Sequence, residues 1–504
     1  MVYLFLSDNA LENDTRNIIN VFYPLAHIKV IRCQGQYTSL KSLLDTGEFA
    51  IHVQHKKLKP DAVQITTRLC DNRRVWTEGE TVYGLPEGYI KDKAFKYGLK
   101  RCVLKLLTRY TGYRPPWGIL TGIRPVKLVN QMRAQGVSAA EIWQYLTDEL
   151  MLSNSKGSLL MEVSDIQQDV LASIARDGVN IYIGIPFCTS RCIYCSFVSQ
   201  VMGTRNSNLE EYLNCLLEEI RCTGRMLGHA GIRPLNIYIG GGTPTSLDIN
   251  QLRELLDCIR QSFSFEGVEE YNIEAGRPDT IDKDKLTLLY GYGINRLCIN
   301  PQTFNEKTLK LIGRKHTARD IIDKYYIARK IGFKNINMDI IVGLPGEDDT
   351  MVANTLGFLD DLKPDSVTVH ALAIKKGSHL KEKAVKSRNT LRHNYICNTA
   401  MVYDSLRKMD MIPYYLYRQK YMHGNEENIG FCRKGKEGLY NITTMEDSHS
   451  IIALGAGAIS KAVLNNNRIE RISNPKDTGV YVNRIHQVID NKREMLEMLT
   501  LKNQ

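Results

Sequence analysis

Residues 185–197 read Ile185-Pro-Phe-Cys188-Thr-Ser-Arg-Cys192-Ile-Tyr-Cys195-Ser-Phe197 and follow a run of β-forming residues, Val179–Ile185. The three cysteines therefore lie in a CxxxCxxC pattern on the loop after a predicted strand. Three thiolates on one short loop can hold three irons of a four-iron cluster, whereas cluster thiolates normally come in fours. The fourth iron is then open to a small molecule that coordinates it and receives an electron. The spacing predicts a catalytic iron–sulfur cluster rather than a pure electron carrier.

Two other interpretations of the cysteine loop stay open at this point. A structural zinc site usually has four closed N or S ligands, and no further CxxC or HxxxH partner lies nearby in the sequence. Free cysteine is also a common core residue. The other nine of the 12 cysteines are scattered singly and are expected to be core or surface thiols: Cys33, Cys70, Cys102, Cys215, Cys222, Cys258, Cys298, Cys397 and Cys432.

The composition is that of a soluble globular protein. The chain has 504 residues, enough for roughly three domains, with 43% hydrophobic and 24% charged residues. No apolar run reaches the roughly 18 residues that span a bilayer, so no membrane span is expected. The start, Met1–Asp8, is apolar without a basic region and is expected to be a first strand, not a signal peptide. Cysteines without a paired framework indicate a reducing, cytoplasmic environment.

The formal charge of +11 raises the question of a nucleic-acid partner. No dense basic block with interleaved aromatic residues is present. The most basic segment, Lys91–Lys105, is periodic and is expected to be one face of an amphipathic helix. We therefore expect a solvated basic face and no nucleic-acid partner; a multiply carboxylated small substrate would also suit the charge.

Three regions are predicted along the chain: 1–170, 171–375 and 376–504. The first is expected to be an accessory α/β domain, because four strand-like runs precede amphipathic helical segments. Its strands are expected at Val2–Leu6, Ile28–Arg32, Phe49–Gln54 and Val63–Leu69, and its helices at Lys91–Tyr110, Lys127–Arg133 and Ala139–Asp148, with a non-helical stretch at Tyr113–Pro125.

The middle region alternates short apolar runs with amphipathic stretches, which predicts a parallel sheet of six strand–helix units and hence a partial barrel. Ligand sites in such folds lie at the carboxyl ends of the strands. The strands are expected at Asn180–Ile185, Leu235–Ile239, Glu270–Glu274, Arg296–Ile299, Asn335–Ile341 and Ser366–Ala371; the helices at Leu209–Arg225, Asn250–Phe263, Lys283–Tyr290, Glu306–Ile312 and Ala318–Ile331.

The third region is expected to be an α+β extension on the substrate side. It holds a helical stretch, Asn389–Lys408, an irregular segment, Tyr414–Arg433, and a glycine-containing turn, Leu454-Gly-Ala-Gly-Ala-Ile-Ser460. No internal repeat or low-complexity tract is present.

Glycine and acidic residues occur at the ends of the predicted strands. Gly240-Gly-Gly-Thr-Pro-Thr245 follows the second strand, and glycines let a ligand approach backbone amides and carbonyls closely. Glu274 ends the third strand, where a carboxylate can accept both hydroxyls of a ribose; a solvated strand-end acid is the other interpretation. Asp339 lies within an apolar strand, which is costly unless the carboxylate is paired or bound to a ligand.

Two further polar residues follow the fourth strand. Gln302 lies in Asn300-Pro-Gln-Thr303, and Arg314 lies in Leu311-Ile-Gly-Arg-Lys315. Taken singly, each is more often a plain surface residue. If both converge with Asp339 on one mouth of the sheet, they make a polar pocket beside the cluster.

With these motifs in place, the chain resembles the radical S-adenosylmethionine (SAM) superfamily. More closely, it resembles the oxygen-independent coproporphyrinogen III dehydrogenase (oxidase) family and its HemZ-type branch, from about residue 110 to residue 465. The resemblance includes Trp117-Gly-Ile-Leu-Thr-Gly-Ile-Arg-Pro125 and Gly455-Ala-Gly-Ala-Ile-Ser460. It implies the partial (β/α)6 radical SAM barrel as the core fold.

The resemblance also implies roles for individual residues. The cysteines of the loop would ligate a [4Fe–4S] cluster, one group of side chains would contact the SAM on the open iron, and a second group would line the adjacent pocket, where related enzymes hold a second SAM. The ligands are Cys188, Cys192 and Cys195; the first group is Tyr182, Gly241 and Glu274; the second is Tyr194, Gly242, Thr243, Gln302, Arg314 and Asp339.

The chemistry implied by the family is the conversion of porphyrinogen propionates to vinyl groups in haem biosynthesis. Reduction of the cluster cleaves the sulfonium and releases a 5′-deoxyadenosyl radical, which takes a hydrogen from the β-carbon of a propionate. Loss of CO₂ and one electron then leaves the vinyl group. A tetrapyrrole substrate and a reductant such as flavodoxin or ferredoxin are the partners that this implies.

The chain departs from the family pattern at one place. The best-studied dehydrogenases have a fourth cysteine two places after the third, where this chain has Phe197, as the haem-chaperone branch also does. The haem-binding signature of that branch is absent: Tyr440 and His449 do not match it, and His393-Asn-Tyr395 lies too far upstream. Three hypotheses follow: a coproporphyrinogen III dehydrogenase, a haem-binding carrier, and a radical enzyme that methylates or opens another tetrapyrrole.

Overall fold

The computed structural model describes residues 1–24, 26–32, 48–175, 177–197, 200–203, 208–373, 399–419, 426–465 and 468–502. The chain forms two compact units, Met1–Ser164 with Arg418–Glu427, and Asp165–Tyr417 with Asn428–Gln504. The three regions proposed from the sequence stay a prediction. The boundary at 375/376, the first part of the expected Asn389–Lys408 helix and His393–Tyr395 lie outside the described residues.

The first unit is a mixed α/β structure, as expected. Its five strands lie in the order β2-β1-β3-β4-β5, with β1 parallel to β2 and β3 and the rest antiparallel. The strands are β1 (Val2–Leu6), β2 (Ile28–Arg32), β3 (Phe49–Lys59), β4 (Ala62–Cys70) and β5 (Val75–Val82). The helices are Glu12–Phe22, Lys93–Thr111, Pro125–Ala134, Ala139–Gln144 and Asn154–Ser173, the last of which continues into the second unit.

Strand β5 was not predicted, and its composition explains why. Its sequence, Val-Trp-Thr-Glu-Gly-Glu-Thr-Val, carries two acids and a glycine, which are depleted in strands. It forms the edge of the sheet and is mostly exposed or half-buried, so only pairing with β4 makes it a strand. The short π-helical turn Tyr145–Glu149 ends the segment that was expected to be one helix, Ala139–Asp148.

The second unit contains an 11-stranded sheet and a small two-stranded one. The large sheet has the order β14-β15-β13-β12-β11-β10-β9-β6-β16-β17-β18, and β7 pairs with β8. The strands are β6 (Val179–Ile185), β7 (Phe187–Cys188), β8 (Gln200–Val201), β9 (Pro234–Gly241), β10 (Glu270–Glu274), β11 (Arg296–Cys298), β12 (Ile336–Val342), β13 (Ser366–Ala371), β14 (Ile412–Tyr417), β15 (Asn428–Cys432), β16 (Ser450–Leu454), β17 (Ile459–Val463) and β18 (Ile469–Ser473).

The six predicted strands of the middle region are confirmed as the parallel row β6, β9, β10, β11, β12 and β13. These strands are buried almost throughout, which is why they read as continuous apolar runs rather than as alternating ones. The helices of this unit are Leu209–His229, Ile249–Ser262, Lys283–Gly291, Glu306–Leu311, Ala318–Ile331, Asp349–Leu362, Thr399–Lys408, Leu439–Glu446, Thr478–Asn483 and Ile485–Lys502.

The expectation of an irregular segment at Tyr414–Arg433 was wrong at both ends. Strands β14 and β15 pair with each other there, and β15 continues the sheet antiparallel to β13. The run Ile-Pro-Tyr-Tyr-Leu-Tyr has no alternation and carries a proline, so sequence periodicity gave no strand signal. On the other side, β16 lies parallel to β6 and extends the sheet beyond the six predicted units.

A buried ion pair holds the Gly455–Ser460 turn beside the end of β6. Gly455 has φ +96°, and a Cβ on it would lie 2.6 Å from the Gly184 carbonyl oxygen, so only glycine fits. Its N–H donates to Glu219 Oε2 at 2.8 Å, and Lys492 Nζ lies 3.3 Å from Glu219 Oε1. Tyr481 also donates to this carboxylate, at 2.6 Å. The C-terminal helix thus stabilises the turn that supports β6.

Among the described helices, none is both long and apolar enough to cross a membrane.

We predict that Lys492→Met destabilises the second unit by about 3 kcal/mol or more, because it leaves the Glu219 carboxylate buried without its cation. Urea unfolding followed by far-UV circular dichroism measures this. The neighbouring Arg493→Ala is the matched control: its ion pair with Asp490 is exposed, and exposed pairs contribute little. Equal unfolding midpoints for the two variants would contradict the assigned role of Lys492.

Candidate functional site

The cysteine loop leaves the parallel sheet at the carboxyl end of β6. Cys188 ends β7, whose pairing with β8 is reinforced by a hydrogen bond from Met202 N–H to Cys188 O at 2.9 Å. Cys188 and Cys192 are buried and Cys195 is half-buried. The Cys195 N–H donates to Cys192 O at 3.1 Å, so these two cysteines share one turn. The sequence thus places all three thiols on one short segment at the edge where ligands bind in parallel sheets.

The donor set fits a cluster better than a single ion. In the described part of the chain, no three His, Cys, Asp or Glu side chains gather around one point as a single metal ion requires. A four-iron cluster binds each thiolate at a different iron, so its sulfurs need not converge. Two sulfurs already have donors, Thr243 Oγ1 at 3.5 Å from Cys188 Sγ and Arg277 Nη2 at 3.0 Å from Cys192 Sγ. Such donors are typical of the surroundings of cluster sulfurs.

The glycine run after β9 packs directly on the backbone that leads to the cysteine loop. Gly242 N–H donates to Ile185 O at 2.7 Å, and Thr243 N–H donates to Phe187 O at 2.7 Å. A Cβ on Gly242 would lie 2.5 Å from the Phe187 carbonyl oxygen, and Gly241 has φ +109°. Gly241 and Gly242 are therefore required for close backbone approach, not only for turning the chain.

Glu274 lies at the end of β10, beside this glycine run. It accepts a hydrogen bond from Tyr238 Oη at 2.5 Å and another from the Gly241 N–H. Burial raises the pKa of Glu274 to about 7; the negative charge of Asp339 adds to the rise, while the donors from Tyr238 and Gly241 and the proximity of His370 oppose it.

Three tyrosine rings form a stack next to Glu274. Tyr182 and Tyr238 are stacked with ring centroids 6.1 Å apart, and Tyr238 and Tyr440 are stacked at 4.5 Å. Burial raises the pKa of Tyr238 well above 10, so its hydroxyl stays a donor to the carboxylate. Tyr182 Oη is also close to Gly241, since a Cβ there would be 3.4 Å away from it. The structure thus brings Tyr182, Gly241 and Glu274 together.

Arg314 and Tyr194 form a second pair, on the other side of the loop. Arg314 donates to the Gly276 carbonyl oxygen at 2.7 Å and to Tyr194 Oη at 3.2 Å. Its Nε is buried with no hydrogen-bond partner in the described structure. A buried guanidinium nitrogen without an acceptor is costly, so this atom is available for a ligand acceptor.

Gln302 and Asp339 are joined through the backbone. Gln302 N–H donates to Asp339 O at 2.9 Å, and Gln302 O accepts from Ile341 N–H at 2.9 Å. These bonds hold Gln302 at φ +67°, a left-handed conformation that a non-glycine residue adopts at an energetic cost. Asn300 then links this pair to Arg314, since its Oδ1 accepts from Asp339 N–H and its carbonyl oxygen accepts from Arg314.

Asp339 has a partner that the sequence did not reveal. His370 Nε2, on β13, lies 3.6 Å from Asp339 Oδ2, and Asn337 Nδ2 donates to Asp339 Oδ1 at 2.7 Å. Burial alone would raise the pKa of Asp339, but the interactions with His370, Asn337 and Thr368 outweigh it and lower the pKa. Asp339 is therefore ionised and oriented inside the barrel.

The cysteine loop, the glycine run and Glu274 thus lie at the carboxyl ends of β6, β9 and β10, and Gln302 follows β11. Tyr182 and Asp339 lie within β6 and β12, and Arg314 lies between the helices Glu306–Leu311 and Ala318–Ile331. The individual roles of these residues stay predictions. Sequence reasoning missed Arg277, Tyr238, Tyr440 and His370. Arg277 and His370 were detectable in principle, because each is a polar residue at the end of a predicted strand, as Glu274 is. Tyr238 gave no such signal, since tyrosine is an ordinary strand residue.

Comparison with known proteins agrees with this arrangement. Residues 182–359 match the family model described as Radical SAM superfamily. The oxygen-independent coproporphyrinogen-III oxidase-like protein HemZ of Bacillus subtilis is 37% identical over 414 residues, which are 81% of this chain and 82% of that protein. The heme chaperone HemW of the same organism is 31% identical over 55% of this chain and 69% of its own length.

Escherichia coli provides a further sequence match and a structural match. Its oxygen-independent coproporphyrinogen III oxidase is 32% identical over 40% of this chain and 44% of that protein. The solved structure of its coproporphyrinogen III oxidase (HemN), described as a radical SAM enzyme, aligns with a TM-score of 0.49 at 23% identity, over 65% of this chain and 73% of the other. On the strength of the HemZ match, this chain belongs to the radical SAM superfamily and, within it, to the HemZ-type branch of the oxygen-independent coproporphyrinogen III oxidase family.

Proposed function

We propose that this protein is a cytoplasmic radical SAM enzyme of haem biosynthesis that converts coproporphyrinogen III to protoporphyrinogen IX. Radical SAM proteins use a [4Fe–4S] cluster and SAM. The observation that carries the proposal is the convergence of the cysteine loop, the glycine run and Glu274 at one edge of the parallel sheet. The choice of substrate is supported by the names of the relatives, since HemZ is a coproporphyrinogen-III oxidase-like protein and the Escherichia coli relative is a coproporphyrinogen III oxidase.

Cys188, Cys192 and Cys195 are the proposed cluster ligands. When bound, the cluster and SAM together supply a 5′-deoxyadenosyl radical that takes a hydrogen atom from an unactivated carbon. For each propionate, the substrate then loses one hydrogen atom, one CO₂ and one electron, which leaves to a separate acceptor. The chain supplies binding and orientation and excludes water, and the cofactor supplies the radical.

The residues around Glu274 are proposed to hold the first SAM. An ionised Glu274 can accept hydrogen bonds from two ribose hydroxyls while Tyr238 and Gly241 keep its carboxylate in place. Tyr182 borders the same space, and the missing Cβ atoms of Gly241 and Gly242 let the glycine run pack against the backbone of Ile185 and Phe187 beside it.

The second group of residues is proposed to hold a second SAM or part of the substrate. Arg314 offers a buried guanidinium nitrogen that lacks an acceptor, which suits a carboxylate. Asp339, kept ionised by His370, offers an acceptor for an amino group. Tyr194 accepts a hydrogen bond from Arg314, and the Gln302 N–H donates to the Asp339 carbonyl oxygen. Gly242 and Thr243 contact the start of the cysteine loop, so we propose that they border the same pocket from that side.

A second candidate is a haem-binding carrier, and two observations favour it. A heme chaperone is among the relatives, and position 197 holds an exposed phenylalanine instead of a fourth cysteine. One observation opposes it. Both ring nitrogens of His449 are within 2.9 Å of a partner, Ser448 Oγ and the Ala175 carbonyl oxygen, so binding iron would cost a hydrogen bond.

The test is anaerobic reconstitution of the cluster followed by incubation with SAM, a reductant such as flavodoxin or ferredoxin, and coproporphyrinogen III. We expect 5′-deoxyadenosine and a vinyl-bearing porphyrinogen to form together, measured by liquid chromatography and mass spectrometry. Deoxyadenosine without vinyl product would favour another tetrapyrrole reaction. Tight haem binding with neither product would favour the carrier and overturn the enzyme assignment.

We predict that SAM affinity falls about tenfold between pH 8 and pH 6, because a carboxyl group with a pKa of about 7 changes from mostly ionised to mostly neutral over this interval. The titratable groups that face Glu274 are Tyr182, Tyr238, Cys298, Asp339, His370 and Tyr440. Glu274→Gln is the matched control. It should bind SAM weakly, and its affinity for SAM should not change between pH 8 and pH 6. A wild-type dissociation constant that is flat over this range, measured by equilibrium dialysis, would contradict the role of Glu274.

We predict that Gly242→Ala weakens SAM binding at least tenfold, since the added Cβ forces the glycine run away from the Phe187 carbonyl oxygen. The measurement is equilibrium dialysis with the iron-loaded protein. Gly228→Ala is the matched control, because a Cβ there meets nothing within 4 Å and the site is helical. That variant should bind SAM as the wild type does; similar losses in both would show that the close backbone approach is irrelevant.

A further inference from the structure

Arg277 is a buried arginine whose guanidinium lies within the cysteine loop. Its Nη1 donates to Ser190 Oγ at 2.8 Å, and its Nη2 donates to the Ser190 carbonyl oxygen at 2.6 Å and to Cys192 Sγ at 3.0 Å. It is 4% exposed and lies three residues after Glu274. One short segment after β10 therefore contacts both the loop and the proposed SAM site.

The charge of Arg277 has no carboxylate partner among the described residues. Its contacts are with Ser190 and Cys192, and the nearest acid along the chain, Asp279, instead accepts from Thr189 at 3.0 Å and lies 3.9 Å from His316 Nδ1. A buried cation is costly unless an anion or several hydrogen bonds compensate for it. A thiolate at Cys192 would supply the anion that compensates for the buried charge of Arg277.

The donors to the sulfurs of Cys188 and Cys192 differ in charge. In the described part of the chain, Cys188 Sγ receives the neutral hydroxyl of Thr243 at 3.5 Å, whereas Cys192 Sγ receives the cationic Arg277 at 3.0 Å as well as the hydroxyl of Tyr194. Hydrogen bonds to cluster sulfurs and nearby positive charge both favour the state with one more electron. Charge-assisted bonds are the stronger kind.

We infer that Arg277 is a positioning residue that binds the Cys192 sulfur in the iron-loaded protein and makes the cluster easier to reduce. The inference rests on the proposed ligation of the cluster by Cys192. The planar fork of arginine suits the task, because it reaches the serine carbonyl, the serine hydroxyl and the sulfur at once, which a lysine ammonium at the end of a flexible stem does not do as rigidly.

The test compares three variants of the full chain, each loaded with iron and sulfide without oxygen: Arg277→Met, Arg277→Lys and Arg329→Met. Arg329 is the control, since it pairs with Asp365 at 2.7 Å, where β13 begins, and contacts neither the loop nor the proposed site. The cluster is titrated with dithionite and redox mediators and followed by electron paramagnetic resonance, with neither SAM nor tetrapyrrole present.

For Arg277→Met we expect the ratio of reduced to oxidised cluster at a fixed potential to fall at least tenfold, which is a midpoint about 59 mV lower for a one-electron couple. Arg277→Lys should fall less, because it keeps the charge and loses the fork. Arg329→Met should titrate as the wild type does. The midpoint potentials are measured without turnover. Their outcome is therefore independent of whether the wild type converts coproporphyrinogen III.

A wild-type midpoint in Arg277→Met with full iron content would overturn the inference. If Arg277→Met binds no iron, the midpoint potential of Arg277→Lys is the deciding measurement. A midpoint potential below that of the wild type supports the inference, and an unchanged midpoint potential overturns it. Loss of iron from both Arg277 variants supports it if both melt at the wild-type temperature while Arg329→Met keeps its iron. Unfolding of both overturns it, because Arg277 would then act in the core rather than on the sulfur.

Discussion

Two backbone hydrogen bonds, from Gly242 N–H to Ile185 O and from Thr243 N–H to Phe187 O, tie the end of β9 to the start of the cysteine loop. Both are 2.7 Å long, and the contact leaves no room for a Cβ at position 242. The contact brings the loop, the glycine run and Glu274 to one edge of the sheet. Without this close approach, the start of the cysteine loop would lose its contact with the end of β9.

Around this contact, buried charges and polar groups are arranged in complementary pairs. Glu274 is held by Tyr238, Asp339 by His370, and the sulfur of Cys192 by Arg277. Arg314 is different, since one of its buried nitrogens has no acceptor in the described structure. Buried polar groups are normally satisfied, so we propose that a bound ligand supplies the acceptor for this nitrogen. The two acids, on β10 and β12, also differ in pKa, because burial dominates at Glu274 and donors dominate at Asp339.

The parallel core was predictable because burial on both faces makes each strand a continuous apolar run, and amphipathic helices separate the runs. The cysteine spacing and the acids at strand ends then located the site. Pairing between distant segments was not predictable: β5 is made a strand by its partner, and β14 and β15 join the sheet from a segment without alternation. Arg277 and His370 were missed because their partners are distant in the sequence. Arg277 contacts Cys192 in the cysteine loop, and His370 contacts Asp339 on the neighbouring strand β12.

The central claim is that three cysteines hold a cluster whose open iron binds SAM, and electron–nuclear double resonance of the reduced protein tests it most directly. With SAM labelled by ¹⁵N in its amino group, the account predicts a new hyperfine coupling between the cluster and the labelled nitrogen. A reduced cluster whose spectrum is unchanged at saturating SAM, or a protein that takes up zinc in place of iron, would contradict it.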